Sequence, residues 1–349
     1  MKQNKVFTLL FLFCSNLILI ISCSQTPQTD STTDDINDIR IKSNDPPIVL
    51  GYSNWAGWWP WAIAEEKDLF SQNGANVELR WFDGYRASME ALAAGQLDGN
   101  CQTLNDTISF ADSAVKGEVA VLVNDNSAGN DKIIVAEKIK TIQDLKGKKV
   151  AVEAGVVDDF LLTLALQENG MSRNDVEIVD LDTSAAATAF ASGQTDAVGA
   201  FPPFWLTALK REGAKELISS KEFPGAIPDL LVVTQKLIEE QPDQVQALVH
   251  TWFDVLDYMA ENPKESDAIM AKRADVTIEE LQLFKEGTKI FTIEENLEAF
   301  REGNSIKNMP FAAQEMTQFM LNVGFIESTP DLTTILDDQF IRAYADSFS

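Results

Sequence analysis

From Pro46 onward, short apolar runs alternate with stretches whose apolar residues recur at helical spacing. Residues 48–52 read as a strand, 59–69 as a helix, 77–82 as a strand and 85–94 as a helix that stops at Gly95. A strand over 97–101, a helix over 106–115 and a strand over 119–123 complete the first series. Residues 124–130, with Ser127-Ala128-Gly129, form a polar break. A second series follows, with strands over 133–136, 149–152, 176–181 and 196–201 and helices over 141–145, 156–167 and 184–191. Pro202 and Pro203 open another helix, since proline suits a first turn. Phe223-Pro224-Gly225 is a second break, and 230–234 returns as a strand. The last third is helical: Val245, Leu248, Val249, Trp252, Phe253, Leu256 and Met259 share one face that would cover the first lobe, and Pro263 is expected to end that helix. His250, the sole histidine, falls on the opposite, solvated face.

One segment occurs twice. ALAAGQLDG begins at Ala91 and AFASGQTDA at Ala189, 98 residues later. Each reads as a helix end, a glycine where the chain turns left-handed, and a strand entered through Asp. A helix stop explains the Gly-Gln-Asp residues themselves. A unit repeated at this spacing predicts an α/β fold of two similar Rossmann-like lobes with a hinge and a ligand cleft between them. Lobe I is predicted over 46–126 and 224–349, and lobe II over 127–223.

The first residues belong to neither lobe. Lys2 and Lys5 precede a 17-residue apolar run over 6–22, interrupted by Ser15 and Asn16 and shorter than the ~20 residues a spanning helix needs. Ser22-Cys23 resembles the lipobox of bacterial lipoproteins. That resemblance implies a signal peptide over 1–22 and a lipid on Cys23; an ordinary signal peptide is the alternative. Residues 23–45 are polar and read as a disordered tether. Cys101 is then the one unmodified cysteine in the mature chain, so no intramolecular disulfide is expected. Removing Lys2 and Lys5 with the signal takes the net charge from −26 to −28. So acidic a chain is a poor match for nucleic acid.

IVLGYSNWAGWWPWAIAEEKDLF, SAGNDKIIVAEKIKTIQDLKGKKVAVEAG, the paired AxGQxD segments, FPPFW and the helical tail with ENPKESDAIMAKRADVTIEEL together resemble a type II periplasmic substrate-binding protein of an ABC importer. The group is the one for nitrate, sulfonate, taurine and bicarbonate. The resemblance implies two lobes closing over one small solute, delivery to a membrane permease and its ATPase, an extracytoplasmic, lipid-anchored location and a monomer. Two departures fall in the pocket: Pro202 stands where many relatives carry an acid, and Asp158-Asp159 where many carry a hydroxyl residue and often His.

Ligands of open α/β sheets bind outside the carboxyl ends of the strands. The loops there hold eight acids (Asp83, Asp106, Asp125, Asp131, Glu153, Asp158, Asp159 and Asp182) against Arg86 and Lys132. Trp55, Trp58, Trp59, Trp61, Tyr85, Phe201, Phe204 and Trp205 lie in or beside them. Carboxylates with aromatic faces suit a small organic cation such as guanidinium. The expected ligand-binding residues are Trp55, Trp59, Asp83, Asp106, Glu153, Asp158, Asp182, Phe201 and Trp205. Several of these features have a structural alternative: tryptophans at helix spacing pack cores, which applies most to Trp58, Trp61 and Trp81 and less to Trp55 and Trp205, and Asp106, Asp158 and Asp182 could cap helices. P-loop, nucleophile-elbow and Cys-x-x-Cys motifs are missing, and neither a cofactor nor a metal is expected. An anion receptor, a sensory ligand-binding domain and a thiamine-pyrimidine-related protein are the alternative functions.

Overall fold

The structure is a computed structural model that describes residues 46–348. The predicted signal peptide and the whole predicted tether, Cys23 included, lie outside the described residues. Eleven strands among those residues form two sheets. They are β1 (Ile48–Tyr52), β2 (Val77–Trp81), β3 (Gly99–Thr103), β4 (Val119–Ser127), β5 (Lys132–Val135), β6 (Lys149–Val152), β7 (Glu177–Asp180), β8 (Ala197–Ala200), β9 (Lys215–Ser219), β10 (Pro228–Val233) and β11 (Thr288–Ile290). The first sheet has the order β11-β4-β10-β3-β1-β2 and the second β7-β6-β8-β5-β9.

Both sheets are built alike. In each, three parallel strands place the first between the second and third, and an antiparallel strand lies beside the third. That antiparallel strand is β10 in the first sheet and β5 in the second, each being the strand that arrives directly after the chain crosses from the other sheet. The central strands are covered on both faces and accordingly read as unbroken apolar runs, as in Ile133-Ile134-Val135 and Leu230-Leu231-Val232-Val233.

The repeated segment occupies the same place in both sheets, immediately before the third parallel strand. Gly95 and Gly193 have φ of +72° and +81°. Beyond them Gln96 and Gln194 donate their backbone N–H to Ala91 and Ala189, closing the helix end in the same way. The repeated Asp then ties the third strand to the first: Asp98 Oδ2 accepts from Val49 N and Asp196 Oδ2 from Lys149 N, both at 3.0 Å.

Four departures from the sequence reading have physical causes. The break expected over 124–130 is partly strand, because β4 runs on through Ser127 with all nine residues buried. Asn124, Asp125, Asn126 and Ser127 sit inside because β10 and β11 flank them. Pro263 does not only end a helix: the helix Pro242–Glu261 stops two residues earlier, and Pro263 opens the next, Pro263–Ala274. β9 and β11 escaped notice because KELIS and TKI are short and half-polar. His250 is half-buried, its ring 4.9 Å from that of Tyr344.

The apolar face of Pro242–Glu261 covers the first sheet's helical layer. Trp252 lies 4.9 Å from Trp61, which in turn stacks on Phe70 at 5.7 Å. The chain crosses between sheets after β4 and again before β10. Ser127 and Ser220 join the two crossings through their hydroxyls at 2.7 Å, and Gly129 N donates to Ser220 Oγ at 2.7 Å.

Candidate functional site

The register of three strands sets the polar floor of a site. Asp229, near the start of β10, pairs across to Asp125 of β4 on one side and to Thr103, the last residue of β3, on the other. Directly paired residues of antiparallel strands project to one face, so Asp125, Asp229 and Thr103 form a row. Asp131 joins it from the crossing after β4.

Above this row lies a cavity of about 10 Å³, room for roughly one water molecule. Its aromatic wall is Trp55 and Trp58 from the turn after β1, Tyr85 from the start of the helix after β2, and Phe201 from the end of β8. Asn54, Thr103, Asp131 and Asp229 supply polar groups, and Val157 closes it from the second lobe. Residues at or just beyond the ends of β1, β3 and β8 thus meet where both sheets present their carboxyl ends. The rings touch across the cleft: Phe201 stands edge-on to Trp55 at 6.5 Å and to Tyr85 at 6.2 Å.

Hydrogen bonding within this site is incomplete. Asp131 Oδ2, Asp229 Oδ2 and Asn54 Oδ1 are buried without an N–H or hydroxyl donor, and Trp58 Nε1 is a buried donor without an acceptor. Buried polar atoms are normally paired, and leaving one unpaired costs on the order of 1–3 kcal/mol. Asp125, by contrast, accepts the Trp55 indole N–H at 3.0 and 3.2 Å. Asp106 lies behind the wall and is fully engaged, receiving Tyr85 Oη, Thr103 Oγ1 and Asn105 Nδ2, each at 2.8 Å.

Burial dominates the acidities. It pushes Asp131 up to about 6, the Ser127 hydroxyl opposing it. It lifts Asp106 to about 7 against the Thr103 and Tyr85 hydrogen bonds. Asp125 and Asp229 are both raised, first by burial, and the charge of Asp125 raises Asp229 further. Glu153 is pushed up to about 7 by burial, with Arg86 pulling the other way.

Of the residues singled out from sequence, Trp55 and Phe201 line the cavity. Asp106 sits directly behind it. Glu153 lies at the cleft edge, where Arg86 of the first lobe reaches it at 3.4 Å and also donates to Ala154 O. Asp158 is buried in the second lobe and holds the turn before its helix, accepting from Glu153 N at 3.0 Å. The structure does not bring the remaining four to the cavity. Trp59 and Trp205 both pack on Phe284, at 5.8 and 5.3 Å. Asp83 is exposed and accepts the Trp81 indole N–H. Asp182 is an exposed N-cap accepting from Ala185 N.

Sequence reasoning passed over Asn54, Thr103, Val157 and Asp229, read Trp58 as core, and counted Asp125 and Asp131 without assigning them to the ligand. Asp229 carried a usable signal, as the single charge in the otherwise apolar IPDLLVV. Among the described residues no group of three or more His, Cys, Asp or Glu is placed to hold a metal ion.

Comparison with known proteins follows the same lines. The model of the NMT1-like family matches residues 42–274. A Brucella abortus protein named only as a binding protein is 30% identical over 263 residues, spanning 74% of this chain and 81% of the relative. A Bacillus subtilis protein named for binding aliphatic sulfonates is 26% identical over 299 residues, 81% of this chain and 84% of the relative. Among solved structures, the alkanesulfonate-binding protein of Xanthomonas axonopodis pv. citri, bound to MOPS, superposes with a TM-score of 0.70 at 17% identity, covering 84% of this chain and 98% of that one.

Proposed function

The chain belongs to the NMT1-like family and has the fold of type II periplasmic substrate-binding proteins, and from that premise we propose that it is the extracytoplasmic receptor of an ABC importer rather than an enzyme. It captures one small organic cation, guanidinium-like, between its lobes, which must part to admit it because the cavity as closed holds roughly one water molecule, and hands it as a monomer to the permease and its ATPase. The observation that carries the choice of solute is the pair of donor-free carboxyl oxygens, on Asp131 and Asp229, in a cavity walled by Trp55, Trp58, Tyr85 and Phe201. A planar cation puts N–H donors on its edge toward the carboxylates and its faces toward the rings, each ring contributing ~0.5–2 kcal/mol. The nearby guanidinium of Arg86 is already engaged by Glu153 and Ala154 O.

The second reading is an anion receptor. It is supported by the sulfonate names of the relatives and by the unpaired indole N–H of Trp58. Against it, an anion in this cavity would face the Asp131 carboxylate at close range, with no basic side chain lining the cavity to offset the repulsion.

Calorimetry with guanidinium, small amines, nitrate, bicarbonate and taurine separates the two. Guanidinium is expected to bind, and Asp131→Ala or Asp229→Ala to weaken it about a hundredfold or more, since stripping a partner from a buried ion pair costs ~3–5 kcal/mol. Tight binding of an anion with no binding of any cation would leave the second reading in its place.

Anchoring is part of the same proposal: the short apolar run ending at Ser22-Cys23 supports lipidation of Cys23 and retention at the outer face of a bacterial membrane. Cys23→Ala should release the protein into the wash from isolated membranes. A variant that stays bound places the anchor elsewhere.

A further inference from the structure

Asp125 and Asp229 are directly paired across β4 and β10, below the cavity. Asp125 has little freedom to move away. Its carboxyl packs against the backbone at Gly57, where an added Cβ would fall 1.8 Å from Asp125 Oδ2, and the Trp55 indole N–H holds both its oxygens. The groups facing the pair are Trp55 from the turn after β1, Cys101 from β3, Asp106 from the helix after β3, and Asp131 from the crossing. None is a base. Two carboxyls so close in a dry interior cannot both ionise alone, and they titrate as one unit. Burial and mutual repulsion both favour the proton staying.

We propose that Asp125 and Asp229 form a proton-holding dyad, and that cation capture in the cavity above is an exchange against the dyad's proton. This rests on the cation reading. In the empty protein one proton lies between the two carboxyls. When a cation arrives, the O–H bond on Asp229 breaks, its electron pair stays on the Asp229 oxygen, and the proton leaves to solvent. Nothing is oxidised or reduced. The site changes its charge by one unit to match the charge it takes in, so a monocation is favoured over both a neutral isostere and an anion. Affinity then rises with pH until the proton is already gone.

The test is calorimetry of guanidinium chloride with the full chain, in buffers of different ionisation enthalpy, which counts protons exchanged. About one proton per guanidinium is expected to be released near neutral pH, with affinity rising up to about tenfold per pH unit below it. Asp229→Asn donates a permanent N–H toward Asp125 but loses the carboxylate that pairs with the ligand, so it should bind guanidinium about a hundredfold more weakly and without releasing the proton. Asp125→Asn keeps an acceptor for Trp55 and should likewise bind without releasing the proton, which covers the case of one variant failing to fold. Guanidinium binding without proton release, or release that persists in the Asn variants, overturns the dyad and leaves the cation receptor standing. No binding of guanidinium or of any amine removes the cation reading and the dyad with it.

Discussion

At the residue scale, the molecule is marked by buried acids, most of them without a basic partner in contact. Asp159 shows the ordinary solution, with Arg173 donating to its two oxygens at 2.9 and 2.6 Å. Burial raises even Asp159, and it pushes Asp131, Asp106, Glu118 and Glu153 up to about 6 or 7. Each of these four holds a proton when folded at a pH where the unfolded chain, with ordinary carboxyls, has lost it. Stability of the ligand-free protein should therefore be highest near pH 5 and fall as pH rises toward about 8, the reverse of a protein held by carboxylate salt bridges. Thermal melting of the empty protein at pH 5, 6, 7 and 8 checks this. A melting temperature that climbs over that range would mean these acids are better compensated than the geometry indicates. The aromatic residues divide by neighbours and not by type. Trp55 and Trp58 reach the cavity while Trp59, one residue on, is turned into the seam against Phe284.

At the element scale, much was legible. β1 and β6 were read to the residue, because both are short apolar runs that parallel pairing buries on two faces. The repeated helix stops were legible because a left-handed glycine followed by Asp leaves a local signature, and in the structure both Asp side chains make the same bond to the first strand. The polar end of β4 was not legible. A run such as Asn-Asp-Asn-Ser reads as a loop by composition, and only strands on both sides make it a strand. The same four residues shorten the first crossing. Any hinge motion there is left to 128–131, not the whole of 124–130.

At the scale of the whole molecule, two sheets of one design share a small cavity, and Arg86, Trp55 and Tyr85 of the first lobe contact Glu153 and Phe201 of the second. If the lobes close by bending at the two crossings, small-angle scattering should show a smaller radius of gyration with saturating guanidinium than without. An unchanged radius would remove hinge closure while leaving binding intact. The sequence by itself determined the alternation of strand and helix, the duplication, the acidic and aromatic character of the ligand loops and the helical tail. All of these follow from local propensity, periodicity and composition, which neighbouring residues in the chain suffice to express. Only the tertiary structure decided which acids share a cavity. Asp125 and Asp229 are 104 positions apart and meet solely through the pairing of β4 with β10, while Asp182, in a loop of the same composition, ends as an exposed helix cap. Strand register and burial are set by the packing of the entire fold, so no window of sequence carries them.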